Sequence, residues 1–164
     1  MNQQKPVVLV ADDDPVTLRL LSGILEDQYE VLTVENAVDA LVATTNIPID
    51  VIIIDIFMPN LNGIDLCKRL TDDDKMTYVP IIFISSSDDI RDRTACFSAG
   101  CVDFIQKPFT SDDVRSRVHA HYKGRQCNRE LQQRLDQSLA ERYCDLVDNK
   151  LHDGVGNAYI DKPE

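Results

Sequence analysis

VIIIDIFMPNLNG, residues 51–63, runs the most apolar stretch of the chain straight into a carboxylate. Val51 to Ile54 carry no polar side-chain atom, and Asp55 follows at once. A Pro-Asn turn at 59–60 and an Asn-Gly turn at 62–63 come next. A short β-branched run closed by turn residues predicts a strand buried on both faces. Asp55 then stands where that strand leaves its sheet.

Working outward, four more short apolar runs appear, at Val7–Ala11, Val31–Val34, Ile81–Ile84 and Val102–Ile105. Helix-compatible stretches with apolar residues at 3.6-type spacing lie between and after them. Their stripes are Leu18, Leu21, Ile24 and Leu25; then Val38, Leu41 and Val42; then Ile64, Leu66, Cys67 and Leu70; then Ile90, Thr94 and Phe97; and last Val114, Val118 and Tyr122. Asn36 with Asp39, and Thr110 with Asp113, suit helix starts. Pro15 suits a first turn, and Gly100 the stop after the fourth helix. The pattern predicts an α/β fold, a doubly wound five-stranded parallel sheet of (βα)5 type. Ligands of such sheets sit beyond the carboxyl ends of the strands.

The chain has 164 residues, 43% hydrophobic and 27% charged, with a net charge of −11. No local basic patch relieves that charge, which argues against a nucleic-acid backbone as partner. The five cysteines contain no CxxC pair and suit free thiols in a reducing cytoplasm. No segment approaches the roughly 20 apolar residues that span a bilayer. The expected location is therefore cytoplasmic, with no DNA and no membrane partner.

The pattern changes after Tyr122. Residues 1–124 read as the globular domain, 125–151 as a helical extension or linker, and 152–164 as a disordered tail. Leu131, Leu135, Leu139, Tyr143, Leu146 and Val147 form a narrow apolar stripe on one long helix. Arg142 interrupts one candidate heptad seam and Asn128 another. Two readings stay open, a helix that packs back or is merely solvated, and a homodimer through 125–151.

In a parallel sheet the strand exits share one edge. The first strand hands over to Asp12, Asp13 and Asp14, the third to Asp55, the fourth to Ser85, the fifth to Lys107 and Pro108. Clustered carboxylates repel and raise one another's pKa. A hard divalent cation among them makes the cluster favourable, and Mg²⁺ is held by one or two carboxylates plus waters and phosphate oxygens. A lysine beside it suits a phosphoryl ligand. Asp55, leaving its strand without a neighbouring acid, is the candidate acceptor of that group as an aspartyl-phosphate.

Taken together, VLVADDDP, IIIDIFMPNLNG, PIIFISSS and DFIQKPF make residues 5–122 resemble a response-regulator receiver domain of two-component signalling. The resemblance implies a flavodoxin-like sheet in the order 2-1-3-4-5 and phosphorylation of Asp55 by a histidine kinase or phosphotransfer protein. It implies Mg²⁺ held by Asp12, Asp13, Asp55 and the backbone carbonyl of Phe57. Lys107, preceding a cis-Pro at Pro108, and Ser85 would contact the phosphate; Ser85 and Phe104 would form the switch. Phe57 and Ser87 occupy the positions that tune dephosphorylation. Neither is a general base, so self-dephosphorylation is expected to be slow. Kinase specificity is expected on the first helix, around Thr17, Leu18, Leu21 and Ser22.

The expected role is a phosphorelay regulator and not an enzyme, beyond phosphorylating and dephosphorylating itself. Its output would be contact with a downstream protein. The alternative is a receiver-plus-linker fragment of a larger regulator with a catalytic output domain, for example of the cyclic-di-GMP type. A remoter one, an aspartate-nucleophile phosphohydrolase, needs a second Asp where Phe57 stands. His119, His121 and His152 are not read as phosphodonors.

Overall fold

A computed structural model describes residues 4–153, with side chains described through Val147. Elements alternate along the chain as β1 (Val7–Ala11), α1 (Pro15–Leu25), β2 (Glu30–Val34), α2 (Ala37–Asn46), β3 (Val51–Asp55), α3 (Gly63–Thr71), β4 (Ile81–Ser85), α4 (Ile90–Ser98), β5 (Asp103–Gln106) and α5 (Ser111–Asp153). A single 3-10 turn, Asp74–Met76, precedes β4. The sheet is parallel throughout and ordered β2-β1-β3-β4-β5. The expected doubly wound five-stranded sheet is thus what forms.

The three strands read as apolar throughout are the central ones. β3 and β4 are buried at every position, and β1 everywhere but Val7. Alternate side chains feed two cores. Leu9, Ile52, Ile54 and Phe83 pack under α2, α3 and α4, while Val8, Val10, Ile53, Ile82 and Ile84 pack under α1 and α5. The caps form as the sequence suggested. Asn36 accepts from the Asp39 N–H at 2.8 Å, Thr110 Oγ1 accepts from the Asp113 N–H at 3.2 Å, and Gly100 takes φ 102° after α4. At the far end of the site's strand, Arg125 donates to the Ile49 carbonyl and to Asp50, whose other oxygen accepts from the Val7 N–H.

Two of the predicted helix stripes face the other way. On α2 the buried residues are Ala37, Ala40 and Ala43, with Val38 and Val42 exposed. On α4 they are Cys96 and the adjoining Ala99, while Ile90, Thr94 and Phe97 are exposed. Small residues let both helices lie close to the sheet, and a stripe of larger apolar residues on the outer face has the same 3.6 periodicity. α1 corrects the expected kinase-facing set. Thr17, Leu18 and Leu21 are buried and Ser22 half-buried, so Val16, Arg19, Leu20 and Gly23 form its outward side.

The chain divides into two compact units, Met1–Gln126 and Cys127–Glu164. In the second, the described side chains from Cys127 to Val147 are all exposed, the apolar stripe included. Of the expected tail, His152 and Asp153 are helical backbone within α5, and residues 154–164 lie outside the described residues. Among the described residues, no helix is long and apolar enough to cross a membrane.

Candidate functional site

Register places the strand exits side by side. Ala11 pairs with Ile54, Asp55 with Ile84, and Ser85 with Gln106, so Asp12, Asp55, Ser85 and Lys107 meet at one sheet edge. One carboxylate oxygen from each of Asp12, Asp13 and Asp55 lies within 4.8 Å of the others. Asp12 is fully buried and Asp13 exposed. Lys107 Nζ donates to Asp12 Oδ2 at 2.9 Å and lies 3.9 Å from Asp55 Oδ2. The Lys107–Pro108 peptide is cis. The third acid of the ADDDP run stands apart: Asp14 caps α1, accepting from the N–H groups of Val16 and Thr17.

This arrangement falls within a family match. Residues 8–119 match the model of the response regulator receiver domain. The chain belongs to that family. It is 31% identical over 114 residues to hybrid signal transduction histidine kinase D of Dictyostelium discoideum, covering 70% of this chain and 7% of the kinase. It is 33% identical over 129 residues to response regulator PleD of Caulobacter vibrioides, covering 77% of this chain and 28% of PleD. It spans well under two thirds of either relative. A putative response regulator from Chloroflexus aurantiacus superposes with TM-score 0.69 at 30% identity, over 73% of this chain and 99% of that one. A CheY-like receiver domain from Methanospirillum hungatei, at TM-score 0.72 and 21% identity, shares the fold.

The other residues singled out in the sequence divide into those near the acid cluster and those turned away from it. Ser85 is fully buried, and its hydroxyl oxygen accepts from the Ser87 N–H at 3.2 Å. Ser87 Oγ is itself committed to α4, donating to Asp92 Oδ2 at 2.5 Å. The Phe57 ring is exposed. Phe104 is buried, with the Arg93 guanidinium carbon 4.8 Å from its ring centroid. His121 is turned to Asp103, its Nε2 2.9 Å from Oδ2.

Gly63, Asp92 and Arg93 hold places in the site's surroundings that the sequence pattern does not mark. Asn62-Gly63 read as a turn, but Asn62 is the cap of α3, accepting from the Asp65 N–H at 2.9 Å. Gly63 donates to the Ile56 carbonyl at 2.8 Å and lies against the backbone of Asp55. An Asn followed three residues later by Asp was the available signal for that cap.

Electrostatics set Asp55 apart. Burial pushes its carboxyl up from 3.8 to about 6, Lys107 pulls the other way, and the charges of Asp12 and Asp13 push it up again. The folded receiver therefore holds this proton more tightly than the unfolded chain does. The contribution of Asp55 to stability is full below pH 3.8 and falls as pH rises toward about 6. Denaturation of the metal-free receiver is expected to lose on the order of 2 kcal/mol from this group between pH 4 and pH 7. Asp55→Asn should lack that loss, and equal pH slopes for the two chains would contradict it.

All the donors of the cluster are oxygens, and three acids face one lysine. That set suits a hard divalent cation, which would also stabilise the ionised form of Asp55.

Proposed function

We propose that Asp55 accepts a phosphoryl group from the phosphohistidine of a histidine kinase or phosphotransfer protein. The observation that carries this reading is a buried carboxylate with raised pKa, beside two further acids and one lysine. A carboxylate oxygen of Asp55 forms the new O–P bond as the N–P bond of the donor breaks, and the electron pair leaves on the donor nitrogen. Lys107 neutralises charge on the transferring oxygens from one side. Asp12, Asp13, Asp55 and the Phe57 backbone carbonyl would hold Mg²⁺. When bound, that ion supplies positive charge against the phosphoryl oxygens.

Ser85, buried at the exit of β4, is the hydroxyl that would turn to the phosphoryl group, with Phe104 as the aromatic that responds. Phe57 and Ser87 supply no base to activate water, so the phosphorylated form persists; decay within seconds would contradict this. Mass analysis of the intact chain after Mg²⁺ and acetyl phosphate tests the central claim. The expected result is one phosphoryl group per chain. An unmodified chain would end the proposal.

Output is read as contact with a downstream protein in the cytoplasm, since a net charge of −11 disfavours a nucleic-acid backbone. The name of one relative favours a second reading, in which the receiver and its helical extension serve a catalytic output domain: a probable cyclic di-GMP phosphodiesterase of Vibrio cholerae, 27% identical over 118 residues and covered over 27% of its length. Under either reading the exposed stripe of Leu131, Leu135, Leu139 and Leu146 offers a seam to a second copy. Light scattering on the phosphorylated chain is expected to give a dimer, and a chain carrying Leu135→Glu and Leu139→Glu a monomer. Equal monomer masses would remove the dimer.

A further inference from the structure

α4 is attached to the rest of the receiver unlike its neighbours. Its buried side chains lie at its C-terminal half and just beyond, in Cys96 and Ala99. Its first half, with Ile90, Arg91 and Thr94 exposed, gains little from apolar burial. Two adjacent charged residues do the fastening there. Asp92 accepts the Ser87 hydroxyl at 2.5 Å, and the Ser87 N–H donates to Ser85 Oγ at 3.2 Å. Arg93 stacks on Phe104 at 4.8 Å and donates through Nη2 to Gln106 Oε1 at 3.0 Å. Gln106 immediately precedes Lys107, the lysine of the acid cluster.

We infer that Asp92 and Arg93 form a two-sided clamp through which α4 senses the phosphoryl site, by Ser85 and Ser87 on one side and by Phe104 and Gln106 on the other. The inference rests on the reading of Asp55 as phosphoryl acceptor and names two positioning residues for its switch. When the Ser85 hydroxyl turns to a phosphoryl oxygen, the Ser87 N–H loses its acceptor, and the loop that presents Ser87 to Asp92 is free to shift. When Lys107 follows the phosphoryl group, Gln106 moves with it and draws on Arg93. Either displacement loosens the first half of α4, which has no apolar anchor to resist.

The clamp is built to release. Arg93 Nε is buried and meets no hydrogen-bond acceptor among the described residues. An unmet buried donor offsets much of what the stacking and the Gln106 bond contribute. The closed arrangement is then only slightly favoured, as a two-state element biased by a few contacts requires. Phe104 is buried, with the Arg93 guanidinium carbon over its ring.

The test uses the full chain labelled with fluorophenylalanine at its five phenylalanines, the Phe104 line being identified by Phe104→Leu. Beryllofluoride with Mg²⁺ stands in for the phosphoryl group, and intact mass after acetyl phosphate is followed in parallel. In the parent chain, beryllofluoride should displace the Phe104 line. Arg93→Ala should displace it beforehand, changing the ratio of the two ring positions about fivefold, equivalent to about 1 kcal/mol. The further response to beryllofluoride should fall by at least half. Arg93→Lys, which keeps the cation and loses the fork, should lie between. Asp92→Ala should weaken the response while Asp55 still gains its phosphoryl group.

Folding is checked by thermal melting, and Arg93→Lys carries the test should Arg93→Ala fail to fold. A Phe104 line that ignores beryllofluoride, or behaves identically in the parent, Asp92 and Arg93 chains, overturns the clamp. Absence of phosphoryl uptake in the parent chain is a separate outcome, which brings down the acceptor reading and the clamp with it.

Discussion

Asp55→Asn is expected to abolish phosphoryl uptake from acetyl phosphate, with the mass of the chain unchanged under conditions that modify the parent fully. The carboxamide has no anionic oxygen to attack phosphorus. No other acid of the cluster can take its place: Asp12 is fully buried with one oxygen on Lys107 and the other on the Asp14 N–H. Asp13 lies on the exposed side of the group. The substitution removes a buried carboxylate whose pKa is raised, so at neutral pH the metal-free fold should melt a few degrees higher. Loss of chemistry with a gain in stability distinguishes a removed reactive group from a broken fold. Equal phosphoryl uptake in the two chains would show that the acceptor lies elsewhere.

Gly63→Ala should do the opposite, lowering stability and disturbing the site together. A Cβ at this position would overlap the carbonyl oxygen of Asp55, and it would lie 2.9 Å from Ile54 Cγ2 and 3.0 Å from the Asp55 carbonyl carbon. The first obstacle is backbone, so no rotamer change relieves it. Either α3 shifts away from the sheet, or the end of β3 moves and carries Asp55 with it. Overpacking against main chain lies at the upper end of such costs, about 3 kcal/mol, or roughly 10 °C in melting temperature for a domain of this size. Phosphoryl uptake should slow in the same variant, because the acceptor is held by the backbone that is displaced. A thermal melt within a degree or two of the parent would show that the close approach of α3 is not needed.

The sequence made the sheet legible because burial on both faces demands uninterrupted apolar runs, which 51–54 and 81–84 supply. It also made the acid cluster legible, since a parallel sheet brings successive strand exits to one edge wherever they fall in the chain. Helix orientation was legible for α1 and α3, whose predicted apolar stripes face inward. It was not for α2 and α4, where alanines and a cysteine line the inner face and the valines, isoleucine and phenylalanine turn outward. Periodicity gives the angle between stripes and not which stripe is inside. On α1 the same ambiguity applies to Thr17, Leu18 and Leu21, which are buried and not part of its outer face. Gly63, Asp92 and Arg93 escaped notice for another reason. Their roles depend on which backbone or ring approaches them, and short-range pattern carries no trace of that.

The sparing way in which α4 is fastened has a kinetic consequence. Segments open one at a time in native proteins, in order of the free energy each opening demands. The central strands β3 and β4 bury every side chain and yield last, with the molecule as a whole. The turn of helix from Ile90 to Thr94 gives up almost no apolar contact when it unwinds. Its excursions therefore cost less than any opening of the central sheet, and any partner that recognises an unwound or rotated α4 meets that shape ready-made in a small fraction of molecules.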